Sequence, residues 1–378
     1  MPHLAAAVLA LLAACRFLPE PSGGTGDAPG CVSVKDDDWG PVGTVPVAAQ
    51  TVVSGLEVPW GIAFLPGGDM LVTERPGRVR LIHAGKLVPA PVATVQVSRA
   101  TEGGLLGIAV HPADPSLVYL YTTQDQGNRI ERWKLAADHR SMKLDRAIFT
   151  GIATAAFHDG GRLRFGPDGM LYAGTGDARK PDSAQDAASP NGKLLRLTPE
   201  GRPAPGNPVA SSPALLSGIR NTQGFDWLDK DTLVVADHGP SGEMLRYAHD
   251  EINLARAGDN LGWPVIYGCD AKQGLVTPLM TWEKNAMPPG GLAVYRGDAI
   301  AAWKGSVLVG TLASEHLHRF VLDKGRVQRH ETYFLRQLGR LREVVMGPDG
   351  ELYLTTSNCD GRGECPAGKD RILRVTPR

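Results

Sequence analysis

The sequence predicts an all-β chain folded as a six-bladed β-propeller of four-stranded antiparallel blades. Three observations predict it. The composition is dense in turn formers, with 46 Gly and 29 Pro among 378 residues, too many for long helices and well suited to short strands joined by tight turns. A Pro-Gly or Asp-Gly turn recurs between two apolar runs, the strongest short-range hairpin signal. The copies are spaced so that six of them fill the chain at about 50 residues each, close to the period of known propeller blades.

Taken in chain order, the first clear copy is Ile62-Ala63-Phe64-Leu65-Pro66-Gly67-Gly68, then Met70-Leu71-Val72-Thr73, then Arg78-Val79-Arg80-Leu81. A second begins near Leu105 with a weaker turn. The third carries Phe165-Gly166-Pro167-Asp168-Gly169, Leu171-Tyr172-Ala173 and Leu194-Leu195-Arg196-Leu197. Weaker copies begin near Thr222 and Gly291, and the last carries Met346-Gly347-Pro348-Asp349-Gly350, Leu352-Tyr353-Leu354 and Ile372-Leu373-Arg374-Val375. A lone blade leaves unpaired edges and an open apolar face, so the blades must pack in a ring, with loops from several of them converging at the mouth of the central channel.

The chain divides into residues 1–15, 16–45 and 46–378, of which the last is the propeller. Leu4 to Ala14 is a short apolar run, too short to span a bilayer, and reads as an export signal. Its ending, Leu12-Ala13-Ala14-Cys15, resembles a bacterial lipobox in which Cys15 becomes the lipidated first residue. The stretch from 16 to 45 is then a tether and N-terminal segment, rich in Pro, Gly, Ser and Thr between Pro19 and Gly30. The expected location is periplasmic or at the cell surface, with membrane attachment only through that anchor. Cys31, Cys269, Cys359 and Cys365 remain, an even count that favours two disulfides in an exported protein. Cys359 and Cys365 close a short Gly-rich loop and pair first; Cys31 with Cys269 follows by elimination.

Lys plus Arg and Asp plus Glu number 40 each, so no global field draws the protein to nucleic acid. No phosphate-binding glycine loop, Gly-x-Ser-x-Gly elbow or Cys-x-x-Cys-His haem motif occurs. What stands out is a series of polar residues placed just before or after blade strands, where propeller loops line the channel. In Phe157-His158-Asp159-Gly160-Gly161-Arg162-Leu163 with Gly176-Asp177, a near-neutral imidazole can accept a proton and a carboxylate can fix its tautomer. In Leu338-Gly339-Arg340-Leu341-Arg342, extended backbone puts Arg340 and Arg342 on one face, a pairing of like charges that suits an anionic ligand.

These runs, with Gly218-Ile219-Arg220-Asn221-Thr222-Gln223-Gly224, Asp237-His238-Gly239-Pro240, Asp250-Glu251-Ile252-Asn253 and Asn260-Leu261-Gly262-Trp263-Pro264, lie in the order found in the glucose/sorbosone dehydrogenases, soluble enzymes dependent on pyrroloquinoline quinone (PQQ), and the resemblance extends over the chain after about Val52. It implies a dehydrogenase that oxidises an aldose at C1 to the lactone, passing a hydride to PQQ and electrons onward to a separate external acceptor. It implies that His158 takes the hydroxyl proton, that Asp177 orients it, and that Arg220 stabilises charge on the reduced cofactor. It also implies that Glu102, Arg220, Asn221, Arg340 and Arg342 surround the cofactor, and that calcium is held by Gly239, Pro240, Glu251 and Leu261, oxygen donors of the kind that ion requires. Departures from the family pattern are Thr222 for Pro, Leu261 for Tyr, Glu102 for Gln and Ala313 for a Lys that contacts the quinone. Glu102 should make His158 more basic, and His316 and His318 are the nearest residues able to replace the missing cation. Two other readings fit the same ring: a non-enzymatic calcium-binding propeller that recognises carbohydrate or protein, for which Ala313 speaks, and a calcium-dependent lactonase, against which the arginine set speaks.

Overall fold

The computed structural model describes residues 30–36, 38–98 and 101–378; the export signal, Cys15 and most of the tether lie outside them. Six antiparallel sheets follow one another along the chain and close into a ring. The first blade runs through Pro59–Phe64, Met70–Glu74, Arg78–His83 and Lys86–Leu87; the second through Leu105–Val110, Leu117–Gln124, Gly127–Leu135 and Met142–Ile152. The third uses Leu163–Phe165, Leu171–Gly174, Leu194–Leu197 and Ala214–Leu216; the fourth Thr222–Trp227, Leu233–Asp237, Glu251–Ala255 and Met280–Trp282. The fifth uses Pro289–Val294, Val307–Thr311, Leu317–Asp323 and Arg326–Tyr333. The sixth combines Leu341–Met346, Leu352–Thr356 and Asp370–Pro377 with Val47–Leu56 from the other end of the chain, paired antiparallel from Val47–Pro377 to Leu56–Asp370. That shared blade closes the ring and leaves no free first blade to peel away.

The repeated turns work as local chemistry requires. In the third blade Asp168 accepts the Met170 amide at 3.0 Å and Gly169 adopts φ +74°, a conformation only glycine takes without strain. Asp349 and Gly350 repeat the arrangement, with the Glu351 amide at 3.1 Å and φ +77°.

Burial is between blades rather than within them. Six apolar clusters each join two neighbouring blades around the ring. Leu71 and Val79 meet Leu120 and Trp133, Tyr121 meets Leu171, and Leu194 meets Phe225 and Val235. Ile252 then meets Leu292 and Phe320, Leu308 meets Leu341 and Leu354, and Ile372 meets Ile62 and Val72. Burying both faces of every sheet explains why these strands read as continuous apolar runs instead of alternating ones.

The part of the N-terminal segment that is described is docked on the ring. Val32–Val34 adds a parallel strand to the fourth blade alongside Met280–Trp282, Cys31 is disulfide-bonded to Cys269, and the Gly43 amide donates to Thr332 at 2.9 Å. The second disulfide joins Cys359 to Cys365. Both pairings are those expected from the sequence.

Candidate functional site

In each blade the loop entering the inner strand and the loop leaving the second strand emerge at the same end of the ring. Those loops bring His158, Arg220, Asn221, Gly239, Pro240, Glu102, Arg340 and Arg342 to one cavity of about 460 Å³, within the range of small-molecule sites, roughly 300–1,000 Å³.

His158 lies on the loop entering the third blade and Asp177 on the loop leaving its second strand. Gly176 permits their contact, because a Cβ there would stand 2.0 Å from the His158 carbonyl oxygen. His158 Nδ1 is 2.7 Å from Asp177 Oδ1, which puts the ring proton on Nδ1 and leaves Nε2 as the basic nitrogen. The dyad is built on a backbone that resists relaxation: His158 has φ +69°, strained for a residue with a Cβ, as is common where geometry serves function. Asp177 itself lies behind the cavity wall, where it also accepts the Arg179 amide at 2.8 Å and the Trp263 indole N–H at 2.9 Å.

Arg220 and Asn221 enter the fourth blade with their amides donated to Asp237, at 2.8 and 2.7 Å. Burial pushes that carboxyl up to about 6 despite the two bonds. The Arg220 guanidinium pairs with Glu243 at 2.7 Å, and its Nε is buried without a partner. Arg340 makes two bonds to Asp360, at 3.1 and 2.9 Å. Arg342 bonds the Gln223 side-chain oxygen, keeps a buried, unpartnered Nε, and is pushed down to about 9 by burial.

Glu102 lines the cavity, but its carboxylate accepts the His158 backbone amide at 3.0 Å and pairs with Arg362 at 2.9 Å. Burial works to raise its pKa, and that amide together with Arg362 holds it below the usual range. The expected second carboxylate beside the imidazole is therefore a different residue, Glu243, whose Oε1 lies 3.5 Å from His158 Nε2. His316 and His318 do not replace the missing lysine. Ala313 lines the cavity, whereas both histidines are buried within the fifth blade, bonded to each other at 3.0 Å, and kept neutral by burial, His316 at about 4 and His318 well below its ordinary value. The added positive charge comes from Arg179 and Arg362, two lining residues that flank the Phe157 ring at 5.7 and 5.4 Å.

The four oxygen-donor positions are not brought together at the cavity. Gly239 and Pro240 line it; Glu251 and Leu261 do not. Strand alternation explains the first: Asp250 faces the cavity and takes the amides of Gly239 and Met287, at 2.9 and 2.6 Å, so Glu251 turns the other way. There it is bonded by the Gly268 amide at 3.0 Å, and burial raises its pKa well above normal. Leu261 packs in the apolar cluster between the third and fourth blades. Among the described residues no group of three or more His, Cys, Asp or Glu could hold a metal.

Five arginines and three acids line the cavity, so it carries net positive charge. Two buried guanidinium nitrogens of its lining arginines, Nε of Arg220 and Nε of Arg342, lack partners, and unmet donors of that kind call for acceptor oxygens from a ligand. The residues present thus suit a multiply charged anion lying beside Nε2 of His158.

The family model for glucose/sorbosone dehydrogenase matches residues 56–373. The aldose sugar dehydrogenase YliI of Escherichia coli is 29% identical over 372 residues, covering 90% of this chain and 95% of its own. Quinoprotein glucose dehydrogenase B of Acinetobacter calcoaceticus is 23% identical, covering 81% and 84%. The PQQ-bound structure of the aldose sugar dehydrogenase of Streptomyces coelicolor superimposes with a TM-score of 0.80 at 37% identity, over 89% of this chain and 99% of that one.

Proposed function

Because this chain belongs to the glucose/sorbosone dehydrogenase family and is a PQQ-dependent sugar dehydrogenase, we propose that it oxidises an aldose at C1 to the lactone, with His158 as the base. The observation that carries this reading is the orientation of the dyad: Asp177 occupies Nδ1 of His158 at 2.7 Å, and Nε2 is presented to a cavity lined by arginines.

Arg220, Asn221, Arg340 and Arg342 would hold the cofactor, with Glu102 at the cavity wall. When bound, PQQ supplies the acceptor for the hydride that leaves C1. The protein's part is proton transfer and charge placement. His158 Nε2 takes the C1 hydroxyl proton, and the imidazolium so formed is stabilised by Asp177, which cannot move because the Trp263 indole and the Arg179 amide also hold it. The guanidinium of Arg220 offers fixed positive charge that needs no reorganisation as negative charge develops.

Gly239 and Pro240 would hold calcium at the cavity, whereas Glu251, which faces away from it, would hold a second ion, and Leu261 lies in the apolar cluster. Glu251 faces Thr281 across the strand pair, and both Thr281 Oγ1 and Asn253 Oδ1 are buried without partners. An oxygen-rich, desolvated group of this kind suits a hard cation, and calcium should raise the melting temperature of the wild-type protein more than that of Glu251→Gln. Export and lipid attachment at Cys15 complete the reading, supported by two disulfides that belong to an oxidising compartment; labelling with a radioactive fatty acid should depend on Cys15.

The deciding experiment adds PQQ and calcium to the apoprotein and follows glucose-dependent reduction of an artificial dye. His158→Ala should lose turnover by at least about a hundredfold while still binding PQQ. Full turnover in that variant, or no PQQ binding by the wild type, would overturn the proposal.

A further inference from the structure

Trp263 has so far served only to hold Asp177 in place, yet its N–H edge and its ring face touch two different parts of the site. The indole N–H donates to Asp177 Oδ2 at 2.9 Å, while the other donors to that carboxylate, His158 Nδ1 and the Arg179 amide, both go to Oδ1. The ring lies 5.6 Å from the Arg220 guanidinium carbon. The residue is buried and its backbone is pinned on both sides. Its amide donates to Gly218 at 3.0 Å, and its carbonyl accepts Gln185 Nε2 at 2.6 Å, an amide that is itself locked by Asn260 at 2.7 Å.

We propose that Trp263 is a positioning residue for the two halves of the reaction: its N–H sets the charge and orientation of Asp177, and through it His158, while its ring face holds Arg220 for the cofactor. The inference rests on the function proposed above. A carboxylate that loses a donor on one oxygen holds its charge less diffusely and attracts the imidazolium more strongly. The other charged groups around the dyad are Glu243, 3.5 Å from Nε2, Arg220 behind Glu243, Glu102, which reaches only the backbone amide, Arg179 and Arg362 on the cavity wall, and the buried Asp237, which faces Asp177. None of these touches the Trp263 N–H, so its removal acts through Asp177.

Two variants separate the two contacts. Trp263→Phe removes the N–H and keeps a ring face; Trp263→Leu removes both. In Trp263→Phe, kcat/KM for glucose at neutral pH should fall about tenfold and the acid limb of its pH profile should move to higher pH, because a base that holds its proton more tightly is free only at higher pH. PQQ affinity, read by fluorescence titration of the apoprotein with calcium present, should stay within about twofold of wild type. Trp263→Leu should in addition bind PQQ about three- to tenfold more weakly. Unchanged kcat/KM and pH profile in Trp263→Phe overturn the first half of the inference; equal PQQ affinity in the two variants overturns the second. Should the variants not fold, the wild type still decides: the Trp263 indole proton resonance must follow the His158 titration, and an indole proton indifferent to it removes the link. A wild type that neither binds PQQ nor oxidises glucose overturns the functional reading itself, which is a different result from either of these.

Discussion

Glu243 Oε1 is bonded to Arg220 Nη2 at 2.7 Å, so an acid from the protein's own loop occupies the guanidinium that the proposed cofactor requires. That acid sits on a tight hairpin closed by the Gly242 amide and the Arg246 carbonyl at 2.8 Å, with Leu245 90% exposed at its tip. Burial raises the Glu243 pKa, but Arg220 and the Ser241 amide more than offset it and hold the carboxyl below its usual range. An anionic cofactor must therefore displace a charged competitor. Glu243→Gln should bind PQQ about tenfold more tightly in a fluorescence titration, the scale of one charge-assisted contact. Affinity equal to or weaker than wild type would show that Glu243 does not compete.

Arg342 should behave in the opposite way. It is buried, close to Arg340 and Arg75, and held down to about 9 mainly by loss of solvent, so its charge is a cost in the apoprotein. Asp360 keeps Arg340 as a partner at 2.9 Å, and Arg342→Met consequently leaves no charge stranded. Replacing a buried ion by an apolar side chain of similar size is often neutral or stabilising. The variant should melt at the same or a higher temperature than wild type and bind PQQ at least about tenfold more weakly. A lower melting temperature with normal PQQ affinity would make Arg342 a structural residue.

The sequence shows the ring because its main signals are local. The Asp168-Gly169 and Asp349-Gly350 turns are set by neighbouring residues, and the inner and second strands around them follow. The pairing of Val47–Leu56 with Asp370–Pro377 had no such signal, since it joins segments more than 300 residues apart. The same distinction runs through the site. His158, Arg220 and Arg342 are readable from short motifs, whereas Glu243, Arg179 and Arg362 matter only because folding brings them to Phe157 or Arg220. Trp263 stood in view as part of a motif, but its role depends on a carboxylate 86 residues away. Glu251 shows how alternation divides a motif at single-residue scale: along its strand the cavity receives Asp250, and Glu251 faces the other way.

The histidines of the fifth blade predict an acid-sensitive fold. His316 is held at about 4 and His318 well below its ordinary value, in each case chiefly by burial, and His330 is lowered too. An unfolded chain takes up protons on these rings near pH 6.5 while the folded one refuses them. The unfolded state thus binds more protons in the window from about 6.5 down to about 4, and stability present above that window is lost as pH falls through it. For one ring moved that far the loss is about 3 kcal/mol. Urea midpoints at pH 7 and pH 4.5 should differ less in His318→Phe than in wild type, although the variant starts slightly weaker at pH 7 because it strands His316 Nε2. An identical acid loss in both proteins would place the sensitivity elsewhere.

Reduction of the Cys359–Cys365 bridge should reach the cavity through the loop it closes. That loop carries Asp360, which holds Arg340 at 2.9 Å and lies 3.5 Å from Arg342, and Arg362, which pairs with Glu102 at 2.9 Å. Glu102 in turn caps the His158 amide at 3.0 Å, so a loosened loop disturbs the arginines and the base together. A cross-link over so short a loop contributes about 2 kcal/mol by restricting the unfolded chain, too little to decide whether the ring folds. The double variant Cys359→Ser, Cys365→Ser should therefore remain folded with a modestly lower melting temperature, bind PQQ more weakly, and turn over glucose more slowly even when saturated with cofactor. The Cys31–Cys269 bridge is the internal control, because it ties the N-terminal strand to the fourth blade and touches none of these side chains: Cys31→Ser, Cys269→Ser should lower the melting temperature without changing PQQ affinity. Equal losses of affinity in the two double variants would mean that the disulfides act through global stability alone.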